Sequence, residues 1–225
     1  MSRKFSMGEA IGFGWDTMKA NIGFFIALLI VAFLIENLPK FIGGFAKNDF
    51  PFVTVLFEIV GWILGMVVSL GLIKISLKFC DGVKGQLDDL LSSFDLLLNY
   101  IATSILYVLI IIGGFILLII PGIIWMIKFS LFPYFIVEKG LGPVEALNAS
   151  SSTTMGAKWD LFLFGLLLGL INLAGFLCLV VGLFATIPTS MVAYAYVYRE
   201  LSGSTASPAS TGPSESGNPL YVNMG

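Results

Sequence analysis

Residues 101–140 read IATSILYVLIIIGGFILLIIPGIIWMIKFSLFPYFIVEKG, an almost wholly apolar run broken at Pro121-Gly122 and carrying Lys128 within it. An α-helix rises about 1.5 Å per residue, so roughly 37 such residues would make a rod of about 55 Å. The hydrocarbon core of a bilayer is about 30 Å thick. One crossing is too few for this run and two fit. The reading is a helical hairpin turned at Pro121-Gly122, and a soluble domain has no place for it.

The composition agrees. Of the 225 residues, 57% are hydrophobic and 12% charged, and the mean hydropathy is +0.96. Soluble domains are nearer about 45–50% apolar and about 25% charged. The net charge of -2 suggests neither a nucleic-acid surface nor a strong binder of anionic lipid. There is no histidine, which removes the commonest general base and the commonest metal ligand together. Cys80 and Cys178, far apart in the chain, suggest neither a disulfide framework nor a zinc site. The basic start MSRKFSMGEA meets Glu9 and Asp16 before the apolar core begins, and no small-residue cleavage site is evident. A cleaved signal peptide is therefore not expected.

Working outward from the hairpin, residues 22–38 form a first crossing ended by Pro39. A loop over 40–51 and a second crossing over 52–77 follow. Within the second, Gly61, Gly65 and Ser69 recur every four residues, a small-residue groove that admits a neighbouring helix. On the other side, residues 161–198 make two more crossings, turned near Gly182 and bent by Pro188. Gly165 and Gly169 repeat the small-residue spacing there.

Three amphipathic segments precede the three pairs. Residues 5–19 place Met7, Ile11, Trp15 and Met18 on one helical face. Residues 87–98 turn Leu87, Leu90, Leu91 and Phe94 one way and Asp88, Asp89, Ser92 and Asp95 the other. Residues 143–156 open on Pro143, which suits a first helical turn, and carry the hydroxyl run 150–154. Such helices are expected to lie in the membrane interface. The segment 202–225 is rich in Ser, Gly, Pro and Thr and is expected to be a disordered cytoplasmic tail.

The predicted fold is all-α: a polytopic membrane protein with six transmembrane helices, arranged as three hairpins each preceded by an amphipathic interfacial helix. The units, about 5–80, 86–140 and 142–200, read as pseudo-repeats. KGLGPVEAL at 139–147 aligns with DGVKGQLDDL at 81–90 if Lys84 is an insertion, pairing Gly140 with Gly82, Gly142 with Gly85 and Glu145 with Asp88. Glu9-Ala10-Ile11 echoes Glu145-Ala146-Leu147. Two crossings per unit put every interfacial helix on one side. That side would hold Arg3, Lys4, Lys19, Lys74, Lys78, Lys84, Lys139, Lys158 and Arg199, against Lys40 and Lys47 on the other. The positive-inside rule then places both termini in the cytoplasm.

Lys128 is the sharpest chemical signal, because a charge inside a bilayer is costly and usually partnered. Glu58 lies at a similar depth by rise per residue, so an intramembrane Glu58–Lys128 ion pair is expected. It would be a structural pair or part of a transport path, the further alternative being a Lys128 that snorkels toward an interface. Asn172 is read as an interhelical hydrogen-bonding group. The hydroxyls at 150–154 and the carboxylates Asp88, Asp89 and Asp95 are read as solvated faces. Trp159 falls where an interfacial anchor belongs. No catalytic residue, cofactor or metal ligand is expected. The expected partners are the lipid bilayer and a membrane-protein partner or second copy of the chain.

The block at 117–162, LLIIPGIIWMIKFSLFPYFIVEKGLGPVEALNASSSTTMGAKWDLF, resembles a group of bacterial and archaeal six-helix integral membrane proteins of unknown function. These include the membrane domain fused to glycerophosphoryl diester phosphodiesterases. The resemblance rests on Pro121-Gly122-Ile123, Lys128, Leu131, Pro133, Glu138, Gly142-Pro143, Glu145-Ala146-Leu147, Ser150, Thr154 and Gly156. Gly14-Trp15, Lys19, Asn21, Pro188 and Tyr198-Arg199-Glu200-Leu201 extend it across residues 5–201. Asn148 stands where the group commonly has Lys or Arg. The resemblance implies a fold and no catalytic residues. The functional expectation is a non-enzymatic scaffold in the cytoplasmic membrane that organises lipids or partners. The alternative is a small-solute or lipid transporter or channel.

Overall fold

The computed structural model describes residues 5–45, 50–178 and 181–203. Among them every regular element is helical, with no strand. In chain order the α-helices are α1 (Met7–Ala20), α2 (Ile22–Phe45), α3 (Pro51–Cys80), α4 (Leu97–Leu117), α5 (Ile119–Lys128), α6 (Phe132–Lys139), α7 (Pro143–Thr153), α8 (Lys158–Leu177) and α9 (Leu183–Ser202). Two 3-10 turns, Leu87–Leu91 and Phe94–Leu96, join α3 to α4. Among the described residues five stretches are long and apolar enough to cross a membrane: Ile22–Gly44, Phe52–Cys80, Leu87–Leu117, Ile119–Lys139 and Lys158–Leu177.

α2 packs on α3 and α4 on α5 as hairpins, and α8 packs on α9. α9 is the hub, packing against α1, α2, α3 and α8. Its Thr189, Val192, Ala193, Ala195, Val197 and Tyr198 are buried on several sides. α1 lies along α9. Its buried positions are Ala10, Gly14 and Met18, a helical stripe of mostly small residues, while Trp15 is exposed. A Cβ on Gly14 would stand 2.4 Å from the Thr189 carbonyl oxygen, so that glycine sets how closely α1 and α9 approach.

Several boundaries differ from expectation. α2 continues through Pro39 to Phe45, where a loop was expected. Packing carries it on: Thr54 Oγ1 donates to the Gly43 carbonyl at 3.0 Å, and a Cβ on Gly43 would stand 2.7 Å from the Phe57 Cβ. The hairpin of residues 101–140 turns at Leu118, which is extended at φ -168°, and not at Pro121-Gly122. Pro121 instead sits in the first turn of α5, where an N–H has no intrahelical acceptor to lose. Gly122 faces Gly114, whose added Cβ would lie 2.9 Å from the Gly122 Cα. The descending limb is itself broken between Lys128 and Phe132.

The expected amphipathic helix over 87–98 is the pair of 3-10 turns. Leu90 alone of its apolar set is fully buried, against Gly71 of α3, while Leu87, Leu91 and Phe94 are exposed. The turn near Gly182 matches expectation: Gly182 is the N-cap of α9 and abuts Gly175 of α8. α9 runs to Ser202 and ends on Gly203, so the helix includes the first residue assigned to the tail. Residues 204–225 lie outside the described residues, as do Arg3, Lys4 and Lys47.

Candidate functional site

Three helix C-termini meet at one end of the bundle. α3 stops at Cys80, with Asp81 as its cap and Gly82 at φ +72° beyond it. α6 stops at Lys139, with Gly140 at φ +61°. Both glycines take a left-handed conformation that ends a helix at little cost. Asp81 and Glu138 are thereby held at helix ends, where the last turn of α9 brings Arg199 between them.

Arg199 is 7% exposed. Its Nη2 donates to Asp81 Oδ2 at 2.6 Å, and its Nη1 donates to Glu138 Oε1. The Tyr198 hydroxyl donates to the other Glu138 oxygen. The Tyr198 ring stacks on Tyr134 at 5.1 Å and meets Phe135 edge-on at 5.0 Å. A second pair sits beside α3: Lys78 Nζ lies 2.7 Å from both oxygens of Asp89, whose Oδ2 also accepts from the Gln86 N–H. Asp89 is 7% exposed, so it is a buried partner and not part of a solvated face. A cation near a helix C-terminus also meets the negative end of the dipole, which favours Lys78 and Arg199 where they stand.

The hydroxyl run of α7 has a different task from solvation. Ser150 Oγ donates to the Lys128 carbonyl at 3.1 Å and accepts from the Leu131 N–H at 3.1 Å. Thr154 Oγ1 donates to the same carbonyl at 2.9 Å. Both side chains are buried. They satisfy the backbone groups released where α5 breaks before α6, a gap that would otherwise leave unpaired donors and acceptors in an apolar setting. Ser152, by contrast, is exposed and bonds only within α7.

The structure does not bring Glu58 and Lys128 together. α5 packs against α4 and α8, whereas α3 packs against α2, α6 and α9. Matching depths do not make two helices neighbours. Glu58 is exposed and shares a shallow surface hollow with Lys40, Val55, Ile59 and Trp62. The Lys128 ammonium lies 5.0 Å from the Phe129 ring centroid.

The small-residue positions divide. Gly61 receives the Lys40 side chain, whose Cγ would lie 3.0 Å from an added Cβ, and Gly65 receives the Glu36 carboxyl at 3.7 Å. The Ser69 hydroxyl donates to the Gly65 carbonyl at 2.9 Å. Gly165 faces the Tyr194 hydroxyl at 3.2 Å, and Gly169 faces open space. Asn172 Nδ2 donates to Ser190 Oγ at 2.9 Å, an α8–α9 bond of the expected kind.

Glu36 is the acidic residue that sequence reasoning passed over. It lies on α2 at the edge of an apolar groove of about 540 Å³ between α2, α3 and α9, walled by Ala32, Phe33, Leu72, Leu183 and Ile187. A second groove, about 470 Å³, runs between α5 and the start of α8. Among the described residues no group of three or more His, Cys, Asp or Glu side chains could hold a metal ion. Compared with known protein families, with curated proteins and with solved structures, the chain matches none of them.

Proposed function

We propose that this chain is a six-crossing integral protein of the cytoplasmic membrane, with both termini in the cytoplasm. It acts there as a non-enzymatic scaffold that organises lipids or membrane partners. The observation that carries the reading is the division of labour among its polar groups. Arg199, Asp81 and Glu138 engage one another, as do Lys78 and Asp89, and Ser150 and Thr154 hold a helix break. The larger grooves are apolar and open along the outside of the bundle. Paired charges at one end favour rigidity, and apolar grooves favour lipid chains or another helix. The three-unit repeat and kinship with the six-helix group named above belong to the same proposal. No cofactor and no nucleic acid enter it.

A transporter or channel for a small solute or lipid is the second reading, and Glu36 favours it. An ionisable side chain beside an apolar groove is a functional-site candidate by default. Reconstitution in proteoliposomes separates the two. The scaffold reading expects no solute flux above that of empty vesicles, and a change in membrane shape or partner localisation when the gene is deleted. Flux abolished by Glu36→Gln, with the protein still folded, would establish transport instead.

A further inference from the structure

We propose that the groove between α5 and α8 is a binding site for one anionic phospholipid. This rests on the reading of the chain as a membrane protein that organises lipid and names the lipid class. One wall is the isoleucine ladder Ile120, Ile123, Ile124 and Ile127. The facing wall is Phe162 and Trp159, whose rings meet edge-on at 5.9 Å. Trp159 is 78% exposed.

Lys158, half-buried at the first position of α8, also lines the groove. No acidic side chain of the chain pairs with it among the described residues. Asp160, two positions on, projects from a different face of the helix.

Lys78 and Arg199 each have a carboxylate within the protein, and Lys158 has none. An unpaired ammonium beside an apolar cleft calls for an occupant with an anionic head and a hydrocarbon chain. The tryptophan beside Lys158 suits the boundary between the two, because indole has an apolar body and a polar N–H. A zwitterionic lipid offers the same chain and a phosphate, but its own cation competes with Lys158 for that phosphate. The occupant is therefore a phospholipid with net negative charge, and a second protein helix is the weaker fit because nothing apolar about it would engage Lys158.

The test is lipid retention by native mass spectrometry of the full chain in detergent, titrated with phosphatidylglycerol or phosphatidylcholine. The wild type should retain phosphatidylglycerol about tenfold better, the scale of one charge-assisted hydrogen bond. Lys158→Gln should abolish the preference and Lys158→Arg should keep it. Ile124→Trp should reduce retention of both lipids by filling the cleft. Lys84→Gln, a lysine outside the groove, should change nothing. Equal retention of the two lipids by the wild type overturns the proposal, as does a preference that survives Lys158→Gln. Solute flux in the proteoliposome assay would end the scaffold reading and leave this site standing.

Discussion

Arg199 sits between Glu138 and Asp81 with 7% of its surface exposed, and the two carboxylates differ in what they lose if it is removed. The Asp81 side chain is 43% exposed and can turn to water, while that of Glu138, at 19%, has little access to it. Breaking a buried pair by deleting one partner costs about 3–5 kcal/mol, because the other charge stays behind. Arg199→Met should therefore lower unfolding free energy in mixed micelles by about 3 kcal/mol or more. Asp81→Asn should cost about 1 kcal/mol or less, as for a pair in contact with solvent. A loss for Arg199→Met no larger than that for Asp81→Asn would mean the cluster is not structural.

At the scale of elements, the break between α5 and α6 makes the clearest case. Ser150 serves as donor and acceptor across it, so Ser150→Ala leaves the Leu131 N–H without its partner, while the Lys128 carbonyl keeps the Thr154 hydroxyl. The expected cost is about 1–3 kcal/mol, against under about 0.5 kcal/mol for the exposed Ser152→Ala. Thermal unfolding of the two variants side by side checks it; equal midpoints would remove the capping role.

The glycines give a second contrast. A Cβ on Gly71 would lie 2.4 Å from the Leu90 backbone, whereas Gly169 has nothing within 4 Å. Gly71→Ala should destabilise by about 1–3 kcal/mol through overpacking. Gly169→Ala should be neutral or stabilise by up to about 1 kcal/mol, the helix-propensity gain.

These contrasts also show what a sequence can disclose. The long apolar runs that became α2, α3, α4 and α8 were legible because a helix in hydrocarbon must satisfy its backbone internally, and length alone reveals it. Partners were not legible. Spacing marked Gly169 and Gly165 alike, though Gly165 has a neighbour in Tyr194 and Gly169 has open space. Depth paired Glu58 with Lys128, though their helices pack elsewhere. Ser150 and Thr154 were visible as a hydroxyl run, but the carbonyl they satisfy lies more than twenty residues away, and no local pattern encodes that distance.

For the whole molecule the open matter is whether α9 crosses. It is not among the five stretches that qualify by length and apolarity, since it carries Tyr194, Tyr196, Tyr198, Arg199 and Glu200 toward its end. Its position accounts for that composition. α9 is surrounded by α1, α2, α3 and α8, so it faces protein on several sides, and a helix shielded from lipid has less need to be apolar. Helices at the rim show the converse: α4 exposes Ile105, Val108, Leu109, Ile112 and Ile116.

With the N-terminus in the cytoplasm as proposed above, a crossing α9 would put the turn at Cys178 outside and the segment after Ser202 inside. Cys178 is exposed and Cys80 is buried, so the chain carries its own probe. A membrane-impermeant maleimide applied to intact cells should label the protein through Cys178, and Cys178→Ser should abolish labelling while Cys80→Ser leaves it unchanged. A reporter fused after Gly203 should then be reached only once the membrane is opened. If that reporter is accessible from outside while Cys178 still labels, α9 turns back without crossing. The bundle would then have five crossings, and the Arg199 end of α9 would lie across the membrane from Asp81 and Glu138, so the ion pairs that hold it there would be broken.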